Sequence, residues 1–361
     1  MPKKIKKKIE EATKSFEKLA SSIPVKKEID KSLLIPTGSV LLNLECSGYI
    51  EGGYKLGTIV NLIGDSSSGK SLCALTMLAE CSIDPRFDEY RLIYDDVEAA
   101  CEFDIEQLFG KQASERIETD IQSNLFEEFD DNFEQALDDD RPFIYVLDSF
   151  DALTTKQALE QAEKNKKARE KGTKESGSYG DGKAKLASGF FSRIVKRLAD
   201  KKSFLLVISQ TRDNLGFGAM FTPKVRSGGK ALKFYSTHEI WLACQKKEKK
   251  GRRVVITEVQ AKITKNKLTG NHGEAYFPIR VFYGIDNISS CIDFLMDEKF
   301  WTGTKKSIDT KGFVKDKISK ANLIRYIEEN DLEEELYALC QKAYEEIMVS
   351  LLPKRKPKFR R

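Results

Sequence analysis

Ile59-Val-Asn-Leu-Ile63 followed by Gly64-Asp65-Ser66-Ser67-Ser68-Gly69-Lys70-Ser71 is the stretch that decides the fold. The first five residues are a continuous apolar run with β-branched side chains, as a strand covered on both faces requires. The next eight fit G-x-x-x-x-G-K-[ST] at every fixed position, and an apolar helical pattern, Ser71–Cys81, begins at once. Strand, glycine-rich turn and helix in that order form a phosphate cradle. The glycines let backbone N–H groups turn toward phosphate oxygens, and the helix N-terminus adds positive potential. Lys70 is placed to reach the β- and γ-phosphates, and Ser71 to hold Mg²⁺.

The pattern repeats outward. Tyr90–Tyr94, Phe143–Leu147 and Phe204–Ser209 are further short apolar runs, with helical patterns near Asp104–Phe109 and over Leu186–Lys201. Strands alternating with helices imply an α/β fold with a mostly parallel central sheet flanked by helices. Ile240–Leu242, Val254–Val259 and Ala275–Ile279 read as more strands, with Lys246–Arg253 as a basic hairpin loop. Phe126, Phe129, Phe133 and Leu137 recur at helical steps through an acidic segment, so Phe126–Asp140 is expected to be an acidic surface helix. Lys164–Lys174, with Gly172–Gly182 behind it, reads as a long polar loop. Strands are expected to stop after Ser289, leaving helices over Ser319–Asn330 and Leu332–Ser350. Three regions follow: a basic N-terminal helix and linker over 1–36, a core over 37–288, and a small α-rich C-terminal domain over 289–361.

Two more strand ends carry chemistry. Phe143-Ile-Tyr-Val-Leu-Asp148 ends in the second carboxylate that a metal's hydration shell needs. Leu92-Ile-Tyr-Asp95-Asp96-Val97-Glu98 ends in a carboxylate cluster beyond the strand, where a general base belongs. Spacing alone leaves Asp95, Asp96 and Glu98 all open as that base.

Composition excludes other classes. The 361 residues include 61 Lys or Arg and 56 Asp or Glu, a net +5. Residues 1–8 and 354–361 hold eleven of the basic residues and no acid, so the remaining body carries −6. No apolar run approaches the ~20 residues of a membrane helix, and the N-terminus lacks the apolar stretch of a secretory signal. Seven cysteines without a CxxC pair indicate reduced thiols in a cytoplasmic protein, with Cys73 and Cys81 as core residues. Only two histidines, His238 and His272, argue against a His-rich metal site or a Ser/His triad.

Between about Leu34 and Phe294 the chain resembles the RecA recombinases, most of all a bacteriophage form. The resemblance rests on Ile35-Pro-Thr-Gly-Ser-Val-Leu-Leu-Asn43, Gly64–Ser71, Asp96-Val-Glu98, Val146-Leu-Asp148-Ser-Phe-Asp-Ala-Leu-Thr154, Val207-Ile-Ser-Gln210-Thr-Arg212, Gly228-Gly-Lys-Ala-Leu-Lys-Phe-Tyr235 and Lys265-Asn-Lys267. It implies a RecA-like ATPase that polymerises on single-stranded DNA, pairs it with homologous double-stranded DNA and hydrolyses ATP with Mg²⁺ in a helical filament. Glu98 would be the catalytic base, Asp148 the metal-holding acid, and Gln210 the γ-phosphate sensor. Lys265 and Lys267 would reach the neighbouring subunit's phosphates.

The first DNA loop would lie near 160–185, with Lys183 and Lys185 as phosphate contacts. The second, near 211–229, would use Arg212, Phe217, Phe221, Lys224, Arg226, Gly228 and Gly229. Cations and aromatics on flexible backbone suit strand tracking. Phe103 and Ile105 stand where the family stacks a Tyr on adenine, Lys230 where an Asn is common, and the C-terminus is basic where many members are acidic. A hexameric helicase or loader on the same core is the alternative, as is a DNA-coating mediator that binds ATP without hydrolysing it.

Overall fold

The computed structural model describes residues 28–352 except 100, 102, 174–180, 214–223, 227 and 228. The expected N-terminal helix, the basic tail, Phe217, Phe221 and Gly228 therefore lie outside the described residues. Fourteen strands are described: β1 Leu34–Ile35, β2 Tyr54–Lys55, β3 Ile59–Gly64, β4 Arg91–Asp96, β5 Ile117–Glu118, β6 Phe143–Asp148, β7 Phe204–Asp213, β8 Lys224–Arg226, β9 His238–Lys250, β10 Arg253–Asn266, β11 Glu274–Arg280, β12 Gly284–Ile285, β13 Thr302–Thr304 and β14 Ser307–Asp309. The helices are α1 Val40–Ser47, α2 Lys70–Ile83, α3 Ile105–Phe109, α4 Lys111–Arg116, α5 Phe126–Asp138, α6 Lys156–Glu170, α7 Asp181–Asp200, α8 Gly229–Tyr235, α9 Asn287–Asp297, α10 Lys320–Glu329 and α11 Glu333–Ser350.

The central sheet runs β12-β11-β10-β9-β3-β7-β6-β4-β5, with β8 added to β7. From β9 to β5 every pairing is parallel; β10, β11 and β12 continue it antiparallel. The period-two alternation of a strand sorts the side chains of β4 and β6 onto two faces. Leu92, Tyr94, Ile144 and Val146 join the apolar layer that includes α2, while Ile93, Phe143, Tyr145 and Leu147 face α5 and α7. That second layer is built from phenylalanines: Phe190 contacts Phe126, Phe129 and Phe133 at centroid distances of 4.9–5.9 Å. Helix α5 turns its acidic face to α7, where Arg193 and Arg197 pair with Asp130, Glu134 and Asp138. Cys73 and Cys81 are buried in the first layer, and all seven thiols are free.

Four expectations change. The stretch from Lys164 is helix, not loop, as far as Glu170: α6 runs through it, capped by Thr155 Oγ1 on Ala158 N. A helix with no buried residue leaves no apolar stripe for a periodicity search to find. Lys246–Arg253 is not a loop either. It continues β9 into β10 around Gly251-Arg252, a ribbon whose exposed positions need no apolar residues. Strands return after Ser289 as the β13–β14 hairpin. The expected linker ends in ordered structure, since Leu34 and Ile35 pair with Lys55 and Tyr54 and are fully buried. Helices α9 and α11 pack on the same apolar layer as α1.

Buried His238 makes stability pH-dependent. It starts β9, with Nε2 3.5 Å from the Cys46 carbonyl, and burial lowers its pKa to about 4. Between that value and the unfolded value near 6.5, the unfolded chain binds a proton that the folded chain refuses. Stability from this group is present above about pH 6.5 and lost as pH falls. Wild type is expected to lose about 2 kcal/mol more than His238→Gln between pH 7 and 5, measured by urea unfolding.

Candidate nucleotide and hydrolysis site

The parallel register brings the chemistry to one sheet edge. Gly64 at the end of β3 is level with Gln210 on β7, and Asp96 at the end of β4 is level with Asp148 on β6. Ligands of parallel sheets bind beyond these carboxyl ends. Gly69 opens α2 at a φ of +92°, and a Cβ there would stand 2.7 Å from Ile279 Cδ1. At Gly64 a Cβ would stand 2.4 Å from Ser68 Oγ. Both positions require the hydrogen side chain that the motif specifies.

Lys70 is buried and its Nζ donates to the Asp65 carbonyl at 2.7 Å. Burial lowers its pKa against the opposing pull of Asp148 and Glu98. Ser71 Oγ donates to Asp148 Oδ2 at 2.5 Å and Tyr94 Oη to the same oxygen at 2.7 Å. Burial raises the Asp148 pKa, partly offset by those two donors.

The carboxylate cluster separates by geometry. Asp95 is fully buried on the far face, accepting from Ser123 N at 2.8 Å, Ser123 Oγ at 2.7 Å and Tyr145 Oη at 2.7 Å. Its role is to anchor the chain before α5. Asp96 Oδ2 accepts from Cys101 N at 2.9 Å. Glu98 is exposed at the edge, and its Oε1 accepts from Ser149 Oγ at 2.6 Å and Gln210 Nε2 at 2.8 Å. Gln210 N in turn donates to Asp151 Oδ2 at 2.6 Å. The acid beyond β4 is thus joined directly to Gln210 on β7, across the end of the intervening β6.

Asp65, Ser66 and Ser67 are exposed on the loop, whereas Ser68 is buried. The Asp65 carboxylate accepts from both Lys224 and Thr211, and those donors lower its pKa. Lys224 is therefore paired with the phosphate loop and not held out as a free cation. Lys183 departs from its expected role most clearly. Its ammonium turns inward onto the carbonyls of Phe150 and Leu153, both at 2.6 Å, and of Asp151 at 3.3 Å. Lys185 and Arg212 are exposed as a phosphate contact requires. Arg226 and Gly229 belong to β8 and α8.

Beside the P-loop is a cavity of about 550 Å³. Phe103, Leu72 and Leu108 form one wall; Ile279, Val281 and Phe282 form the other. Its apolar lining suits a planar base. Ile105 packs into the core instead. The second wall escaped sequence reading, although Val281-Phe-Tyr283 was a signal: three apolar residues together at a turn, each more than half exposed.

Lys265 and Lys267 lie elsewhere. Asn266 pairs with His238 and His238 with Val60, whereas the P-loop begins at Gly64, level with Leu242. Roughly 13 Å of strand separates these two levels. The Lys265 ammonium donates to the Lys233 carbonyl and, at 3.2 Å, to that of Phe234; Lys267 donates to Phe234 at 3.0 Å. They cap the end of α8, where cations meet unpaired carbonyls.

The family model described as the RecA N-terminal domain matches residues 3–286. The chain belongs to the RecA family. It is 27% identical over 309 residues to Protein RecA of Acinetobacter baylyi, covering 82% of this chain and 78% of that protein. With Protein RecA of Bacteroides thetaiotaomicron it shares 28% over 277 residues, 73% of this chain and 74% of that one. With the mitochondrial DNA repair protein recA homolog of Dictyostelium discoideum it shares 29% over 278 residues, 73% and 54% respectively. As a RecA-family recombinase the chain is a DNA-dependent ATPase, and membership carries DNA binding and filament formation with it. No helix among the described residues is long and apolar enough to cross a membrane.

Proposed function

We propose that ATP is bound and hydrolysed between successive subunits of a helical filament on single-stranded DNA, and that this cycle drives pairing with double-stranded DNA. One subunit supplies Gly64–Ser71, Glu98, Asp148 and Gln210, with the base against Phe103; the next supplies Lys265 and Lys267. The observation that carries this reading is placement. The first set converges on one sheet edge, while the two lysines sit at the opposite end of β3, beyond reach of their own P-loop. Added positive charge from a neighbour would stabilise the transferring phosphoryl group.

A hydroxyl and a buried carboxylate 2.5 Å apart are the hard oxygen donors that suit Mg²⁺. Ser71 and Asp148 would hold it, and it would neutralise charge on the β- and γ-phosphates. Lys70 would bind the same oxygens, Glu98 would take the proton from the attacking water, and Gln210 would hold Glu98 in place. DNA would track the second loop through Arg212, Phe217, Phe221, Arg226, Gly228 and Gly229, and the first through Lys185. Residues 1–36 would serve as a docking arm, 37–288 as the motor, and 289–361 as an accessory domain of a cytoplasmic protein.

ATP turnover is expected to rise at least tenfold on adding single-stranded DNA, with filaments visible by electron microscopy in an ATP analogue. An unchanged rate, or closed rings, would sink the coupled filament mechanism.

A further inference from the structure

Lys183 stands in the first turn of α7, the helix that leaves the first DNA loop, and all of its hydrogen-bonding capacity is used inside the protein. An ammonium has three donors. Three carbonyls receive them: Phe150 and Leu153 at 2.6 Å and Asp151 at 3.3 Å. The Phe150 ring covers the same nitrogen at 4.6 Å from its centroid. Burial accordingly lowers the Lys183 pKa to about 8.

The turn it grips, 148–153, touches every part of the hydrolytic edge. Asp148 meets Ser71, Ser149 Oγ holds Glu98, Phe150 N donates to the Ile208 carbonyl at 2.9 Å on β7, and Asp151 Oδ2 receives Gln210 N. A charge clamped on three carbonyls of so short a turn fixes its conformation. Asp151 then fixes the backbone of Gln210, whose side chain holds Glu98.

We propose that Lys183 and Asp151 are positioning residues that couple the first DNA loop to ATP hydrolysis. Lys183 makes no phosphate contact; it transmits the position of α7 to the 148–153 turn, and Asp151 passes it to Gln210. This rests on the reading of Glu98 and Gln210 as the hydrolytic pair.

The test uses the full-length protein and single-stranded DNA. Lys183→Met keeps the stem and removes the donors. Its kcat at saturating DNA is expected to fall about tenfold, with Lys183→Arg recovering most of it. The salt slope of DNA binding should stay unchanged in Lys183→Met, whereas Lys185→Ala should lower it by about 0.7, one phosphate contact. Asp151→Ala should lose the same tenfold, and the double variant no more than either single one. Should Lys183→Met fail to fold, Asp151→Ala leaves the clamp in place and decides alone. Wild-type turnover in Asp151→Ala, or a reduced salt slope with normal kcat in Lys183→Met, overturns the proposal. If Glu98→Gln itself retains turnover, the underlying hydrolytic reading fails instead.

Discussion

Glu98→Gln is expected to lower ATP turnover by about two to four orders of magnitude while leaving nucleotide and DNA binding within about twofold of wild type. Glutamine keeps the length of the side chain and an oxygen that accepts from Ser149 Oγ and Gln210 Nε2, now at 2.6 and 2.8 Å from Oε1. What it cannot do is accept the proton released by the attacking water. The neighbouring acids make the control. Asp95→Asn strips charge from a fully buried carboxylate that receives three hydrogen bonds, one of them from the Tyr145 hydroxyl, so its effect should fall on unfolding. Asp96→Asn disturbs the Cys101 backbone contact and should cost turnover far less than Glu98→Gln. Phosphate release at saturating ATP and DNA, beside filament formation in the same samples, checks the assignment. Full turnover in Glu98→Gln with loss in Asp96→Asn would transfer the base to Asp96.

The separation of these three acids shows where sequence reading stops. That a carboxylate cluster ends β4 was legible from the apolar run before it, as were the P-loop, Asp148 and the parallel sheet. Which acid faces which layer depends on strand parity and on what lies opposite. Ser123, the partner of Asp95, is 28 residues away and carries no motif. Lys183 shows the same limit for a related reason. A lysine in a basic polar stretch resembles a phosphate contact, and nothing local reveals that a turn 30 residues upstream aims three carbonyls at it. Helix α6 was hidden because it buries nothing, and the Lys246–Lys250 end of β9 because it stands clear of the core with no apolar residue to alternate. Local motifs encode backbone shape and chemistry; long-range partners depend on register.

Lys265→Ala/Lys267→Ala is expected to abolish DNA-stimulated hydrolysis, by about 10³-fold if the pair acts as arginine fingers do in trans. Within one subunit both lysines hold carbonyls at the end of α8, with Phe234 70% exposed beside them. Loss of those caps alone would cost about 1 kcal/mol of local stability, far less than a thousandfold in rate. Capping and catalysis are therefore separable by magnitude, and mixing separates them by geometry. A Glu98→Gln subunit has intact lysines but no base; the double-lysine variant has an intact base but offers its neighbour no cations. Mixed in equal amounts, the two inactive proteins regenerate a complete site wherever a lysine-variant subunit receives cations from a Glu98→Gln neighbour. With random order along the filament, about a quarter of wild-type turnover should return. Charges acting within their own subunit cannot be restored this way, so a mixture as inactive as its components would place Lys265 and Lys267 outside the neighbour's site.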